Sequence, residues 1–339
     1  MNANVIAICD ENESYCFMLD KYIREHVKLS LEIFDFTNLD DVKKFKFKDN
    51  TSLIIISQSL YEELEDLEYR KILVLDEGEL RTKEYESENI KTISKYQAVD
   101  SIVKEILGIC MEDDGLMVGN LPDSKMGIIG LFTPIGRSLQ TTFALSLGQE
   151  LSVNKKVLYL NLEFAAAFEF IMDEHFDENL ADLLYFYECH GDKVGLYIDR
   201  IKRNVGGLDY IPPVLSGEQI CSTTIEQWMG FFKEITRSTD YDYLILDITE
   251  NVANVYDMLD ICDRIYTIQG RDSLSKAKMD QYDLCLQKNG KDNIISKSRK
   301  ISIPLFKNLI TKASRLPSSE ISVFVRNIIR EDDFYGNRT

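Results

Sequence analysis

The sequence predicts an α/β protein built from two doubly wound parallel-sheet domains, and three observations carry that expectation. Short, fully apolar runs such as Leu53–Ile56, Ile72–Leu75 and Met126–Phe132 recur along the chain, as strands buried on both faces do. Segments with apolar residues at helical spacing separate them, and strand–helix alternation builds parallel sheets. The length of 339 residues suits two domains at roughly 100–200 residues each. Residues 111–125 (MEDDGLMVGNLPDSK) are polar and aperiodic, with two Gly and a Pro, the composition of a linker. The expected division is therefore a domain over 1–110, a linker over 111–125, a domain over 126–332 and a polar tail over 333–339.

In the first domain, Asn4–Cys9 is a short apolar strand. Glu13–Val27 follows as a helix with Tyr15, Met18, Leu19, Tyr22 and Ile23 at helical spacing. Leu29–Phe36 alternates as a strand, Leu53–Ile56 and Ile72–Leu75 are buried strands, and Ile90–Ile93 is a weaker one. Ala98–Cys110 closes the domain as a helix with Val99, Ile102, Val103, Ile106 and Leu107 on one face. The order resembles the flavodoxin-like receiver domain of two-component signalling. That resemblance implies a Mg²⁺ site with an acidic pair after the first strand, an acceptor Asp ending the third, a hydroxyl ending the fourth and a Lys ending the fifth. Asp10 and Glu11 match the pair and Lys95 the last position, with Tyr96 where proline is usual. The third strand ends Ile56-Ser57-Gln58, without a carboxylate, and the fourth ends at Asp76. Lacking an acceptor, the domain is expected to be a pseudo-receiver, serving as a docking or dimerisation surface. Asp10, Glu11, Ser57 and Lys95 are its remnant; the plainer reading of the charged residues is a solvated loop cluster.

In the second domain, Met126–Phe132 is an apolar strand, and a helical pattern with Phe143, Leu145, Leu147 and Leu151 begins near Thr142. Between them lies Thr133–Thr142 (TPIGRSLQTT). Strand, tight loop and helix start form the setting of a P-loop, where backbone N–H groups and the helix N-terminus cradle phosphates. Gly136, Arg137, Ser138, Gln140, Thr141 and Thr142 are the candidate phosphate contacts. Lys156–Leu160 is the next strand, and Tyr241–Asp247 is an apolar strand ending in Asp, as a Walker B strand does. These three elements, in this order, resemble the MinD/ParA family of deviant-Walker ATPases. Gly207–Pro213, Asp263–Ile268, Ile303–Phe306, Arg315–Ser319 and the helix Ile321–Ile329 extend the resemblance, which covers Gly127 to Ile329. With a receiver-like domain ahead of it, the arrangement most resembles the CpaE/TadZ branch, whose members are localisation and assembly factors for Tad-type pili.

The resemblance implies ATP or ADP with Mg²⁺ as cofactor, and Thr141 and Asp247 as the residues that would hold the metal. It also implies partners from a pilus or secretion assembly, and a homodimer. Four positions depart from the family. Ile135 stands for the signature lysine, Gln140 for the lysine that touches the β- and γ-phosphates, and Leu139 for the glycine before it. Leu139 is expected to crowd the phosphate path and to resist φ > 0. Asn161 stands where the family has a strand-end Asp. Phosphoryl transfer depends on positioning and on cancelling charge at the β and γ oxygens, so losing both lysines removes the main stabilising groups. Arg137 is the one cation left in the loop. The expected function is a non-catalytic or weakly nucleotide-binding positioning and assembly factor; a slow ATPase switch that dimerises with ATP is the alternative.

Elsewhere, Phe164–Phe170 is expected to be a helix burying Phe168, Leu183–Tyr187 to be core, and Trp228, Met229, Phe231 and Phe232 to belong to an amphipathic helix. Pro304–Leu316 is expected to be a helix with Leu305, Phe306, Leu309, Ile310 and Ala313 as its apolar stripe. The net charge of −18 argues against nucleic acid as a partner of the whole molecule, because such binding needs Lys and Arg to displace counterions. Residues 286–330, however, hold ten basic residues and two acids. Lys297, Arg299, Lys300, Lys307, Lys312 and Arg315 are thus a candidate basic face for anionic membrane, an acidic partner or another copy, with partition-like DNA association as a third reading. Seven scattered cysteines, three distant histidines, no leader and no apolar run near the ~18 residues needed to cross a bilayer point to reduced thiols in a cytoplasmic protein. Membrane or pole association would then come through partners.

Overall fold

The structure, a computed structural model, describes residues 4–26, 31–45, 51–63, 69–78, 89–112, 125–136, 139–306, 310–332 and 334. The chain divides into two compact units, residues 1–120 with 192–200, and residues 121–191 with 201–339. Most of the expected linker (113–124) and tail lies outside the described residues.

The first unit holds a five-stranded sheet of β1 (Asn4–Cys9), β2 (Leu31–Phe36), β3 (Thr51–Ser57), β4 (Lys71–Asp76) and β5 (Ile90–Ser94). The order is β2-β1-β3-β4-β5 and every pairing is parallel, a doubly wound order. Its central strands are the runs that are apolar throughout, because both faces are covered; Ile6, Ile8 and Leu53–Ile56 are fully buried. The edge strand β5 is partly exposed along its length, which is why its sequence pattern is weak. The helices Glu13–His26 and Val99–Glu112 are joined by the Tyr22 hydroxyl, which donates to the Asp100 carboxylate. A short helix, Leu39–Lys43, was not anticipated; Asn38 caps it by accepting from the Asp41 N–H. Residues 192–200 pack with this unit although they come some eighty positions later in the chain, and the Lys193 ammonium donates to the Met111 carbonyl at 2.8 Å.

The second unit holds β6 (Gly127–Phe132), β7 (Val157–Asn161), β8 (Arg203–Val205), β9 (Leu208–Ile211), β10 (Tyr243–Asp247), β11 (Arg264–Ile268) and β12 (Ser298–Ile301). Their order is β12-β11-β6-β10-β7-β9-β8, parallel except for β8, which pairs antiparallel with β9. Gly206 and Gly207 have φ of +61° and +88°, the two left-handed residues that a tight two-residue hairpin requires. The short polar strand β8 carried no apolar signal and enters the sheet through that turn. The helix Gln140–Leu151 packs Phe143, Leu145 and Leu147 into the core with Tyr159, Tyr266 and Val325. The helix Ile225–Ser238 buries Trp228, Phe231 and Phe232 as expected and leaves Met229 exposed.

Three expectations are corrected. Residues 164–167 are not helical: Ala165 and Ala167 have φ of 55° and 52°, and the helix spans only Phe168–Met172, with Phe168 buried. In Leu183–Tyr187 the two leucines are buried but Tyr185 is exposed. Residues 302–306 and 310–312 have no regular structure, and Ala313–Ser318 is a 3₁₀ turn. There, Ile303, Phe306, Ile310, Ala313 and Leu316 pack singly on the core, while Leu305, on the expected helical stripe, is 93% exposed. The Gln149 amide donates to the Ala313 carbonyl at 3.0 Å, a side-chain contact that replaces a helical one. Leu309 lies outside the described residues.

Candidate functional site

The loop after β6 leaves the carboxyl end of the sheet, where ligand crevices of open α/β sheets lie. β10 is the neighbour of both β6 and β7, which sets Asp247 in register with Leu131 on one side and Asn161 on the other. The Thr133 hydroxyl anchors the loop by donating to the Ile268 carbonyl of β11 at 2.7 Å while accepting from the Ile135 N–H. Gly136 has φ +71°, and Leu139, at the N-cap of Gln140–Leu151, has φ 63° and ψ 26°. The expectation that Leu139 resists this region is therefore corrected. The backbone keeps the left-handed turn, although an L side chain there costs about 1–2 kcal/mol. Arg137 and Ser138 lie outside the described residues.

Asp247 is 1% exposed and is held by neutral donors. Gln140 Nε2 donates to its Oδ1 at 2.6 Å, and the Tyr159 hydroxyl and Asn161 Nδ2 donate to its Oδ2 at 2.8 and 3.3 Å. The Thr141 hydroxyl also bonds this carboxylate. Burial pushes the Asp247 pKa up, and the hydrogen bonds from Gln140, Thr141 and Tyr159 only partly offset it. Gln140 Nε2 donates a second time, to the Ile248 carbonyl at 2.9 Å. Both amide hydrogens are thus committed, and its Oε1 is buried without a partner. Asn161 turns its Oδ1 to the Glu163 N–H at 2.7 Å, and Glu163 has its pKa raised by burial and then by the Asp247 charge.

A cavity of about 450 Å³ opens over this network, lined by Thr133, Pro134, Ile135, Gly136, Leu139, Gln140, Thr141, Thr142, Glu163, Ile248, Thr249, Glu250, Asn251 and Lys278. The start of Gln140–Leu151 suits a phosphate chain, because the first-turn N–H groups of a helix lack intrahelical acceptors. None of the described loop residues carries a positive charge. The residue at the lysine position has no donor to spare, and its orphaned oxygen would oppose a phosphate oxygen. Sequence reasoning missed Thr133, Tyr159, Glu163 and Lys278. Tyr159 was detectable, since it stands two residues before Asn161 on a strand and so shares its face. Lys278 was not, because only the fold brings the helix Ser273–Lys288 to the loop.

No protein-family model matches the chain, and no curated protein matches it. Solved structures to which the chain is similar include a ParA family ATPase from Chlorobium tepidum TLS, at 16% identity and a TM-score of 0.47 over 60% of this chain and 98% of that one. A plasmid partition protein from Borrelia burgdorferi is similar at 18% identity and a TM-score of 0.44, over 62% and 98%. The MinC:MinD cell division complex of Aquifex aeolicus is similar at 17% identity and a TM-score of 0.43, over 60% and 96%.

In the first unit the structure joins Asp10 to Lys95 and leaves the others apart. Lys95 Nζ lies 2.6 Å from Asp10 Oδ2, 2.5 Å from Glu77 Oε1 and 4.9 Å from the centre of the Tyr15 ring. Both Asp10 and Lys95 are buried, so the solvated-cluster reading is corrected; Glu11 is exposed, and Ser57 is buried against the Ser59 hydroxyl. Glu77 is the member the sequence did not single out. The basic stretch is also paired within its own unit. Lys297 donates to the Asp260 carbonyl, Arg299 bonds Asp332 and Glu331, Lys300 bonds Asp283, and Lys312 bonds Asp173. Arg315 is exposed near Asp173, and Lys307 lies outside the described residues. Among the described residues, no helix is long and apolar enough to cross a membrane. Cys189 and Cys221 are exposed thiols and Cys285 is half-buried, while Cys9, Cys16, Cys110 and Cys262 are buried.

Proposed function

We propose that this protein is a positioning or assembly factor of the CpaE/TadZ kind, whose P-loop-like pocket does not hydrolyse nucleotide. The observation that carries the reading is the double donation of Gln140 Nε2 to Asp247 and Ile248. Hydrolysis requires positive charge on the β and γ oxygens. Gln140 carries none and points both of its hydrogens into the protein. Thr141, the residue that would hold Mg²⁺, is likewise turned to Asp247. The first unit is a pseudo-receiver in this proposal, with Lys95 neutralised by Asp10 and Glu77 and no acceptor carboxylate at Ser57. Both units then act as surfaces for protein partners of a pilus or secretion assembly.

Isothermal titration with Mg²⁺ and ATP, on the full chain and on its Gln140→Lys variant, tests the reading. The expected result is no micromolar affinity and no turnover in the natural chain, with binding strengthened in the variant. Micromolar binding or steady phosphate release by the natural chain would replace this proposal with that of a slow ATPase switch.

A further inference from the structure

The second unit's sheet carries another set of converging side chains at the end opposite the loop after β6. Gly127, Tyr243 and Arg264 open the parallel strands β6, β10 and β11, and Arg299 stands second in β12. The chain leaving the helix Glu320–Glu331 is seated on them by two residues. Asp332, with a side chain 12% exposed, accepts on one oxygen from the Tyr266 hydroxyl and from Arg264 Nη1 at 3.1 Å, and on the other from Arg299 Nη1. The Arg264 guanidinium lies over the Phe334 ring, 4.7 Å from its centre, and the Tyr243 ring meets Phe334 edge-on at 5.6 Å. We infer that this is a docking seat for a peptide segment in which an aspartate is followed two residues later by an aromatic ring. The chain fills the seat with its own Asp332 and Phe334, and a protein partner carrying that pair docks by displacing them. The inference stands apart from the loop after β6 and adds a docking surface to the proposed function.

Charge and space both set the seat apart from ordinary packing at a helix end. Arg264 and Arg299 converge on the one carboxylate of Asp332, so an emptied seat keeps two guanidiniums and calls for an acid. Arginine–carboxylate bonds and a guanidinium stacked on a ring are directional, and together they select an acid and a ring at a fixed spacing. The resident ring does not fill the space offered to it. A cavity of about 220 Å³ remains beside Phe334, lined also by Gly127, Ile128, Ile129, Tyr243 and Asp263. Gly127 lets the Tyr243 ring lie against β6, since a Cβ there would come within 3.0 Å of it. A ring larger than phenylalanine would bury more apolar area in that cavity, which gives a partner its advantage. The resident pair has the opposite advantage of being tethered, with an effective concentration on the order of millimolar, so weak ligands are kept out.

The test is fluorescence anisotropy with a labelled peptide of residues 330–339, in its natural sequence and in a Phe334→Trp version. It is titrated with the full natural chain, with the double variant Asp332→Ala, Phe334→Ala, and with that variant carrying Arg264→Met as well. The expected result is binding at least about tenfold tighter to the double variant than to the natural chain. The tryptophan peptide is expected to bind tighter than the natural one, and Arg264→Met to abolish both. Equal binding to the natural chain and the double variant overturns the inference, as does binding that survives Arg264→Met. So does the absence of binding to a double variant whose circular dichroism is native. If the double variant does not fold, the natural chain is challenged with the tryptophan peptide at millimolar concentration and the Tyr243 ring is followed by NMR. A saturable shift of its resonances supports displacement of Phe334, and unmoved resonances overturn it.

Discussion

Two buried carboxylates in this protein are satisfied in opposite ways. Asp10 meets the ammonium of Lys95, whereas Asp247 meets only amides and hydroxyls. Removing one partner of a buried ion pair leaves an uncompensated charge, which typically costs about 3–5 kcal/mol. Lys95→Met is expected to destabilise the first unit on that scale in urea denaturation, and adding Asp10→Asn to recover most of the loss. The Lys95 pKa is lowered by burial but raised further by Asp10 and Glu77, for a net rise. Its contribution is therefore complete at neutral pH and fades only as pH climbs from about 10.4 through the raised value. At the other site the sign is reversed. Asp247 and Glu163 have raised values, so their ionisation costs stability as pH rises past the ordinary carboxylate range, and protonation relieves the cost. Asp247→Asn removes the charge that lifts Glu163, and the Glu163 midpoint, followed by carboxyl NMR, is expected to move down. An unmoved midpoint would mean that burial alone sets it.

Helix starts and left-handed turns carry the next scale. Thr224 accepts from the Gln227 N–H while the Gln227 side chain accepts from the Thr224 N–H, a reciprocal cap at the head of Ile225–Ser238. Thr224→Ala is expected to cost about 1 kcal/mol in thermal or chemical unfolding. This helix was legible from the spacing of Trp228, Phe231 and Phe232, and the cap seen in the structure agrees with it. Residues 164–167 were not, because three successive alanines favour a helix while the chain after β7 must turn. Ala165 and Ala167 take left-handed φ there. Ala165→Gly and Ala167→Gly are each expected to raise stability by about 0.5–1 kcal/mol, the relieved strain exceeding the added chain entropy of glycine. Loss of stability in either would show that the turn is held by the methyl group. The 302–316 segment misled for a related reason. Its apolar residues are spaced like a helix, but Ile303, Phe306 and Ile310 reach the core one at a time from the irregular backbone of 302–306 and 310–312, and Pro304 biases the residue before it toward extended backbone.

Across the molecule, charge has a local explanation. Six of the ten basic residues of 286–330, namely Lys291, Lys297, Arg299, Lys300, Lys312 and Arg326, pair with acids of the second unit, among them Asp173, Asp257, Asp260, Asp283 and Glu150. A stretch that is basic in sequence is thus largely neutralised in space, which weakens the case for a free cationic face. The chain is expected to pass through immobilised DNA at physiological salt without retention, since counterion release needs unpaired Lys and Arg. Arg299→Gln is expected to lower the melting temperature, through loss of its Asp332 and Glu331 contacts, and to leave DNA retention unchanged. Salt-sensitive retention that disappears in Arg299→Gln would restore the partition-like reading.

The sequence by itself determined the two sheets, the strands that lie inside them, the loop after β6 and the chemistry missing from it. Those features are local: apolar runs report burial on both faces, and a replaced residue reports an absent charge. Tertiary structure decided what stands in for the missing groups. It turned Gln140 onto Asp247, set Tyr159 and Asn161 beside it, buried Lys95 with Asp10 and Glu77, and brought Lys278 to the cavity from a helix more than a hundred residues beyond the loop. Each of these depends on strand register and crossover geometry, which place side chains by their position in the sheet and not by their distance along the chain.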